Sequence, residues 1–309
     1  MVAERANERV CYFNGEIVPE SRALVSFRDR SFRYGDGAFD TTRTFGHRIF
    51  KLEEHIVRFY KTLRYLRIDP GMAPSEMKRH TEEVLARNLH LLGPDEDYWV
   101  FQRISRGLEP AGGDFYGSTD PVLIIDCTPL PIPQRAHYYR DGIPLLVPSN
   151  RRAAPDTISP RAKTHNYLNL FVGNDEVRRR DPNALALFLD HNGNLSEGIG
   201  SNIFLVTDGV LYTPQDRYVL NGISRETVLE LAAEADIEVV KCDLDLFDAH
   251  GADEAFITST SYCICPVATI NDVPFGERRI PGPITERLMG LYCKLIGFDF
   301  VDQYLKHLH

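Results

Sequence analysis

The sequence predicts an α+β protein of two domains, and three observations carry that expectation. A length of 309 residues exceeds what one small core ordinarily organises. Apolar side chains recur at helical spacing in some stretches and at strand spacing in others. Near the middle, Cys127-Thr-Pro-Leu-Pro-Ile-Pro133 carries three prolines in alternation, which stiffens the backbone and denies it helix or central strand. The boundary falls there, with a first domain over 1–128, a linker over 129–142 and a second domain over 143–309.

The elements follow in order. Val10-Cys-Tyr-Phe-Asn14-Gly15-Glu-Ile-Val18 is a hairpin, because Asn-Gly tolerates positive φ at both turn positions. From Arg33 to Phe45 two early glycines give way to alternation, with Phe39, Thr41, Arg43 and Phe45 on one face and Ala38, Asp40, Thr42 and Thr44 on the other. After a Gly46-His47 turn, Ile56, Phe59, Leu63 and Leu66 mark a helix over 53–68, with Glu53 and Glu54 in its first turn and Arg58 off the apolar stripe. A second helix spans 75–92, strands fit 98–104 and 122–126, and a glycine-rich loop over 107–117 separates them. Past the prolines come a strand over 143–147, a helix over 164–180, and strands over 184–190, 202–207 and 210–213 turned by Asn192-Gly193 and Asp208-Gly209. A helix from Gly222 to Asp236, a strand from Glu254 and a closing helix over 283–295 complete the chain.

Composition excludes several functions. A hydrophobic share of 43% with 26% charged residues is ordinary for a globular chain. A net charge of -9 opposes general nucleic-acid binding, which needs a basic face against phosphates. The longest apolar runs, Val122–Ile125 and Ala184–Leu189, fall far short of the roughly 18 residues of a membrane span. Six scattered cysteines without a C-x-x-C pair or a secretory segment lead us to expect reduced thiols and a cytoplasmic protein. His47, His55, His80, His90 and His191 show no metal-ligand spacing with carboxylates, so no metal is expected.

Three stretches carry chemistry. In Ser159-Pro-Arg-Ala-Lys163-Thr-His-Asn166, Lys163 stands before an amphipathic stretch, where an amine held off water can attack a carbonyl; a lone lysine is more often a solvated surface charge. Gly222-Ile223-Ser224 opens a helix whose backbone N–H groups suit a phosphate. Thr258-Ser-Thr260-Ser261 offers four hydroxyls to an anion, or forms an ordinary Ser/Thr loop.

Taken in sequence, Tyr34-Gly-Asp-Gly-x-Phe39, His55-x-x-Arg58, Lys163, Ser196-Glu197-Gly-x-x-Ser-Asn202, Gly222-Ile-Ser224-Arg and Thr258-Ser-Thr260 followed by Pro266-Val267 resemble the class IV (fold-type IV) pyridoxal-phosphate aminotransferases over nearly the whole chain. The resemblance implies a small N-terminal α/β domain, a larger β-rich C-terminal domain, pyridoxal 5'-phosphate at their interface, and a homodimer whose partner chain helps wall the pocket. It implies that Lys163 forms the Schiff base and moves the proton between Cα and C4′, and that Glu197 accepts the pyridine N–H. Arg58, Ile223, Ser224 and Thr260 would take the phosphate, and Tyr34, Phe39, Thr41, Arg43, Arg106 and Ser261 would line the substrate pocket. The partners are then a small-molecule amino donor and a 2-oxo acid acceptor.

Within the family the motifs divide. Lys163-Thr-His-Asn166-Tyr167 is one residue shorter than the spacing usual in branched-chain enzymes and is similar to the D-amino-acid, (R)-amine and lyase branches. Arg151-Arg152 with Pro155, Ile158-Ser-Pro160 and Gly282-Pro-Ile-Thr285 look like the (R)-amine branch. Tyr34, Phe39 and Arg43 look like the amino-acid branches, while Thr41 in place of glycine is similar to the lyase. The Arg-x-His clamp of D-amino-acid enzymes is missing, because Ser105-Arg106-Gly107 continues Leu-Glu-Pro-Ala111-Gly112-Gly113. The expectation is a transaminase of D-amino-acid/(R)-amine stereochemistry using Arg43 or Arg106 for the carboxylate, although both arginines could equally be structural. The alternatives are a branched-chain L-amino acid aminotransferase and a lyase resembling aminodeoxychorismate lyase.

Overall fold

The computed structural model describes residues 8–114, 117–275 and 279–308. Phe115 and Tyr116, inside the expected glycine-rich loop, lie outside the described residues. The chain divides into two units, residues up to Leu130 together with Ala162–Asn166, and Pro131–Arg161 together with Tyr167 onward.

The first unit is an antiparallel sheet with helices on one face. Its elements are β1 (Val10–Phe13), β2 (Glu16–Pro19), α1 (Arg30–Tyr34), β3 (Gly37–Phe45), β4 (Arg48–Ile49), α2 (Leu52–Leu66), α3 (Pro74–Asn88), β5 (Tyr98–Ser105) and β6 (Val122–Pro129). The strands lie in the order β2-β1-β6-β5-β3-β4. The expected hairpin turns at Asn14 and Gly15, both at positive φ. Ile56, Phe59 and Leu63 of α2 and Met77, Val84 and Leu85 of α3 pack on Val100, Ile104, Leu123 and Ile125 of the sheet, which makes the unit's core.

The direction of β3 could not be read from alternation, because both of its faces mix polar and apolar residues. The face turned to the helices carries Ala38, Asp40, Thr42 and Thr44, all fully buried. Phe39 and Thr41 point to the opposite face and are half-buried. Burial of Asp40 and the threonines is stabilising only because each finds a polar partner there.

The second unit contains α4 (Ile132–Asp141), β7 (Ile143–Leu146), α5 (Leu168–Arg180), β8 (Leu185–Leu189), β9 (Leu195–Gly198), β10 (Asn202–Thr207), β11 (Val210–Pro214), α6 (Ile223–Glu234), β12 (Val239–Cys242), α7 (Leu246–Gly251), β13 (Glu254–Ser259), β14 (Cys263–Ile270), β15 (Val273–Pro274), α8 (Pro283–Ile296) and α9 (Phe300–Leu305). Its sheet runs β12-β11-β10-β13-β14-β7-β8-β9, and β9 returns to pair with β10 at Glu197↔Asn202, so six of the strands close into a ring. Asn202 is also paired with Thr258, which sets Glu197, Asn202 and Thr258 side by side on three neighbouring strands.

Three expectations change. The proline-rich linker is not devoid of helix: α4 begins at Ile132 with Pro133 in its first turn, where a missing N–H costs nothing. The helix expected from Thr164 starts at Leu168, because residues 163–165 are extended and hydrogen-bond to β3. The closing helix is followed by α9, whose single apolar turn and a half is too short for a periodic signal.

Candidate active site

The lysine segment is built from the first unit alone. Lys163 is held from both sides of its peptide, its carbonyl accepting from Phe39 N at 3.0 Å and its N–H donating to Thr62 Oγ1 at 3.2 Å. Two residues on, His165 N donates to the Gly37 carbonyl at 2.9 Å. These bonds fix Lys163 beside β3, and its Nζ lies 4.5 Å from the centroid of the Phe39 ring. An aromatic face displaces water while still accommodating the amine's charge.

Helix α2 carries a polar row, His55, Arg58 and Thr62, one step round from its apolar stripe. Arg58 Nε and Nη2 donate to Asp40 Oδ2 and Oδ1 at 2.9 and 2.7 Å, and His55 Nδ1 meets Oδ1 at 2.7 Å. Burial alone would raise the Asp40 carboxyl, but Arg58 and His55 hold it well below the usual carboxylate range. Burial lowers the pKa of His55, so the neutral ring donates from Nδ1 to Asp40. The His165 ring stacks on Phe39, takes Ser31 Oγ as partner of Nδ1, and is pushed down to about 4 by burial and by Arg103. Sequence reading passed over Asp40, Thr62 and His165, since their partners are remote in the chain.

The other pocket candidates of this unit divide by exposure. Arg43 does not face a substrate: it is 1% exposed, donates to the Thr44 carbonyl, lies over Phe45 and faces Asp97 at 3.6 Å. Arg106 donates to Asp36 at 2.8 Å and to the Leu66 and Arg67 carbonyls at the end of α2, so it ties a helix terminus to a turn. Tyr34 donates to Glu109 at 2.9 Å. Phe39 and Thr41 share the open face of the sheet with Arg103, which the sequence reading did not single out. Arg103 lies 4.0 Å over Phe101 and 5.9 Å from Phe39, and pairs with Asp126 at 3.0 Å.

The second unit supplies a buried carboxylate, a helix mouth and a hydroxyl-rich turn. Glu197 is 5% exposed, with Oε1 accepting from Arg152 Nε and Oε2 from Leu220 N, each at 2.8 Å. Arg152 therefore belongs to the glutamate, whatever branch its neighbourhood resembles. At α6, Gly222 is the N-cap and no side chain caps the first turn, which leaves the N–H groups of Ile223 and Ser224 at the positive end of the helix. The Ser224 hydroxyl donates to the Ser259 carbonyl at 2.9 Å, so what this residue offers an anion is its backbone. Thr260 is half-buried in the turn between β13 and β14, and Ser261 is 9% exposed beside it. Gly282-Pro-Ile-Thr285, which resembled the (R)-amine branch, is the mouth of α8, with Ile284 N, Thr285 N and Thr285 Oγ1 all donating to buried Glu254. Its composition answers to helix capping.

The donor set suits pyridoxal 5'-phosphate: an amine, an ionised carboxylate for a ring N–H, and an uncapped helix mouth for a phosphate. Among the described residues, no group of three His, Cys, Asp or Glu is placed to hold a metal ion. Comparison with known proteins agrees. The family profile described as Amino-transferase class IV matches residues 37–270. The chain belongs to the class IV aminotransferases. Like other members of that family it is a pyridoxal-phosphate-dependent transaminase of the fold-type IV architecture.

Among class IV relatives, a Methanocaldococcus jannaschii protein named for branched-chain amino acids is 36% identical, covering 90% of this chain and 93% of its own. The branched-chain-amino-acid aminotransferase of Escherichia coli is 31% identical, covering 95% of this chain and 94% of its own. A solved structure of the E. coli enzyme superposes with a TM-score of 0.81 at 30% identity, covering 94% of both chains. The D-alanine aminotransferase of Bacillus licheniformis is 27% identical, covering 89% of this chain and 93% of its own. The comparisons thus favour the branched-chain alternative over the expected D-amino-acid/(R)-amine leaning. The short lysine spacing behind that leaning lies in a segment whose conformation is set by pairing with β3.

Proposed function

We propose that the chain transfers the amino group of branched-chain L-amino acids to 2-oxo acids. The observation that carries this reading is the similarity, over more than nine-tenths of both chains, to the E. coli enzyme named for those substrates. The open sheet face supports it, since Phe39, Phe101 and Trp99 are apolar surface for an aliphatic side chain. When bound, pyridoxal phosphate supplies an aldehyde for the amine and a ring that takes up the electrons released when the Cα proton leaves.

The chain's own residues then have separate tasks. Lys163 anchors through its Nζ and carries the proton away from and back to the substrate. Glu197 holds the proton on the ring nitrogen, and the Arg152 contact favours its charged form. The first turn of α6 at Ile223 and Ser224 and the hydroxyl of Thr260 take the phosphate, with Arg58 oriented by Asp40 to join them. Ser261, Phe39, Thr41 and Tyr34 serve the substrate. Arg103 is a better-placed candidate for an acidic substrate group than Arg43 or Arg106, because it is on the open face.

The test is the visible spectrum of the holoenzyme mixed separately with L-leucine, D-alanine and (R)-1-phenylethylamine, without acceptor. Loss of the cofactor's visible absorbance is expected with L-leucine alone. Loss with D-alanine or the amine, and none with L-leucine, would overturn the assignment of substrate.

A further inference from the structure

Behind the turn that joins β13 to β14 stand three hydroxyl donors from three helices. Ser224 of α6 donates to the Ser259 carbonyl at 2.9 Å, Tyr304 of α9 to the Ser261 carbonyl at 2.7 Å, and Tyr139 of α4 to the Tyr262 carbonyl at 2.5 Å. All three donors are buried, Tyr304 completely. The Tyr139 and Tyr304 rings stack at 4.4 Å and 24°, Phe300 meets Tyr139 and Tyr292 edge-on, and the Tyr292 hydroxyl is 3.4 Å from Ser224 Oγ. Packing on this scale makes the donors a rigid backing.

A trans peptide points its N–H opposite to its carbonyl. Tying back the carbonyls of 259, 261 and 262 therefore turns the N–H groups of Thr260, Tyr262 and Cys263 to the far side of their peptides. Tyr262 N–H is seen there, donating to Ser259 Oγ at 3.0 Å. The turn is polarised, with its negative ends toward the tyrosines and its positive ends away from them. We propose that Tyr304 and Tyr139 are positioning residues, which orient this turn to receive the carboxylate of the substrate. The proposal rests on the reading of Ser261 as a substrate residue. It gives the last helix, remote in sequence from every motif, a part in substrate affinity.

Binding of 4-methylvaleric acid, a branched aliphatic carboxylate without an amine, tests this. It is titrated by calorimetry into the holoenzyme and into Tyr304→Phe, which keeps the ring stack and deletes only the donor. Pyridoxal phosphate affinity of the apoprotein and the thermal midpoint are measured in parallel. The expected result is acid binding weakened about tenfold in the variant, with cofactor affinity changed less than about twofold. A lowered midpoint with unchanged acid affinity would make the tyrosine merely structural and overturn the proposal. An equal loss of cofactor affinity would assign the turn to the phosphate and overturn it too. Should Tyr304→Phe not fold, the same titration of Tyr139→Phe decides by the same outcomes. Failure of the unaltered holoenzyme to bind the acid or respond to L-leucine would instead remove the substrate reading, and the proposal with it.

Discussion

Asp40 has neither of its partners near it in sequence and is fully buried with Arg58 and His55. A buried carboxylate in this position holds the Arg58 fork in one orientation, and the arginine repays the carboxylate's desolvation. Asp40→Asn leaves the guanidinium buried against a neutral amide. We expect the substitution to cost about 3–5 kcal/mol in urea unfolding, the range for breaking one half of a buried ion pair. A loss below about 1 kcal/mol would show that Arg58 finds solvent or another partner on its own. Because the folded-state carboxyl is held low, the pair's contribution is complete above the unfolded value near 3.9 and declines as pH falls below it.

At the scale of elements, residues 162–166 belong with the first unit although the chain on either side belongs to the second. Their attachment is the pairing of Ala38 with Thr164, two further backbone bonds to β3, and the His165 ring on Phe39. Gly37 makes the close approach possible, since a Cβ there would stand 2.6 Å from His165 Nδ1. The buried ring carries a pH dependence. His165 is pushed down to about 4 in the folded protein, so between the unfolded value near 6.5 and pH 4 the unfolded chain binds a proton that the folded one refuses. Stability should therefore fall as pH drops through that window, by up to about 3 kcal/mol from this group. Urea unfolding at pH 7, 5.5 and 4.5 checks it: His165→Asn should show a shallower pH slope than the unaltered protein, and equal slopes would refute the assignment.

For the whole molecule, each unit leaves large apolar side chains in water. Leu24, Phe27 and Phe32 in the first unit and Leu168, Phe171 and Val172 in the second are all more than half exposed. Patches of this kind mark association, and an interface of a chain with its own copy is the commonest arrangement. We expect light scattering to report about 70 kDa, twice the 35.1 kDa chain. Phe32→Glu should shift that mass toward the single chain; a single-chain mass for the unaltered protein would exclude the homodimer.

The sequence by itself determined the family, the lysine, the glutamate, the glycine that opens α6, and most helices and strands, because these are local signals or ordered motifs. It did not determine which way β3 faces, since alternation is symmetric and both faces mix polar with apolar residues. Nor could it separate Arg43 and Arg106 from substrate-binding arginines, because a charge declares its role only through its partner, and Asp97 and Asp36 lie far along the chain. The pairing of Glu197 with Arg152, the closure of β9 onto β10, and the tyrosines behind the 259–262 turn were decided by tertiary structure alone. Each joins residues distant in sequence through burial and hydrogen bonding, interactions that exist only once the chain has brought them together.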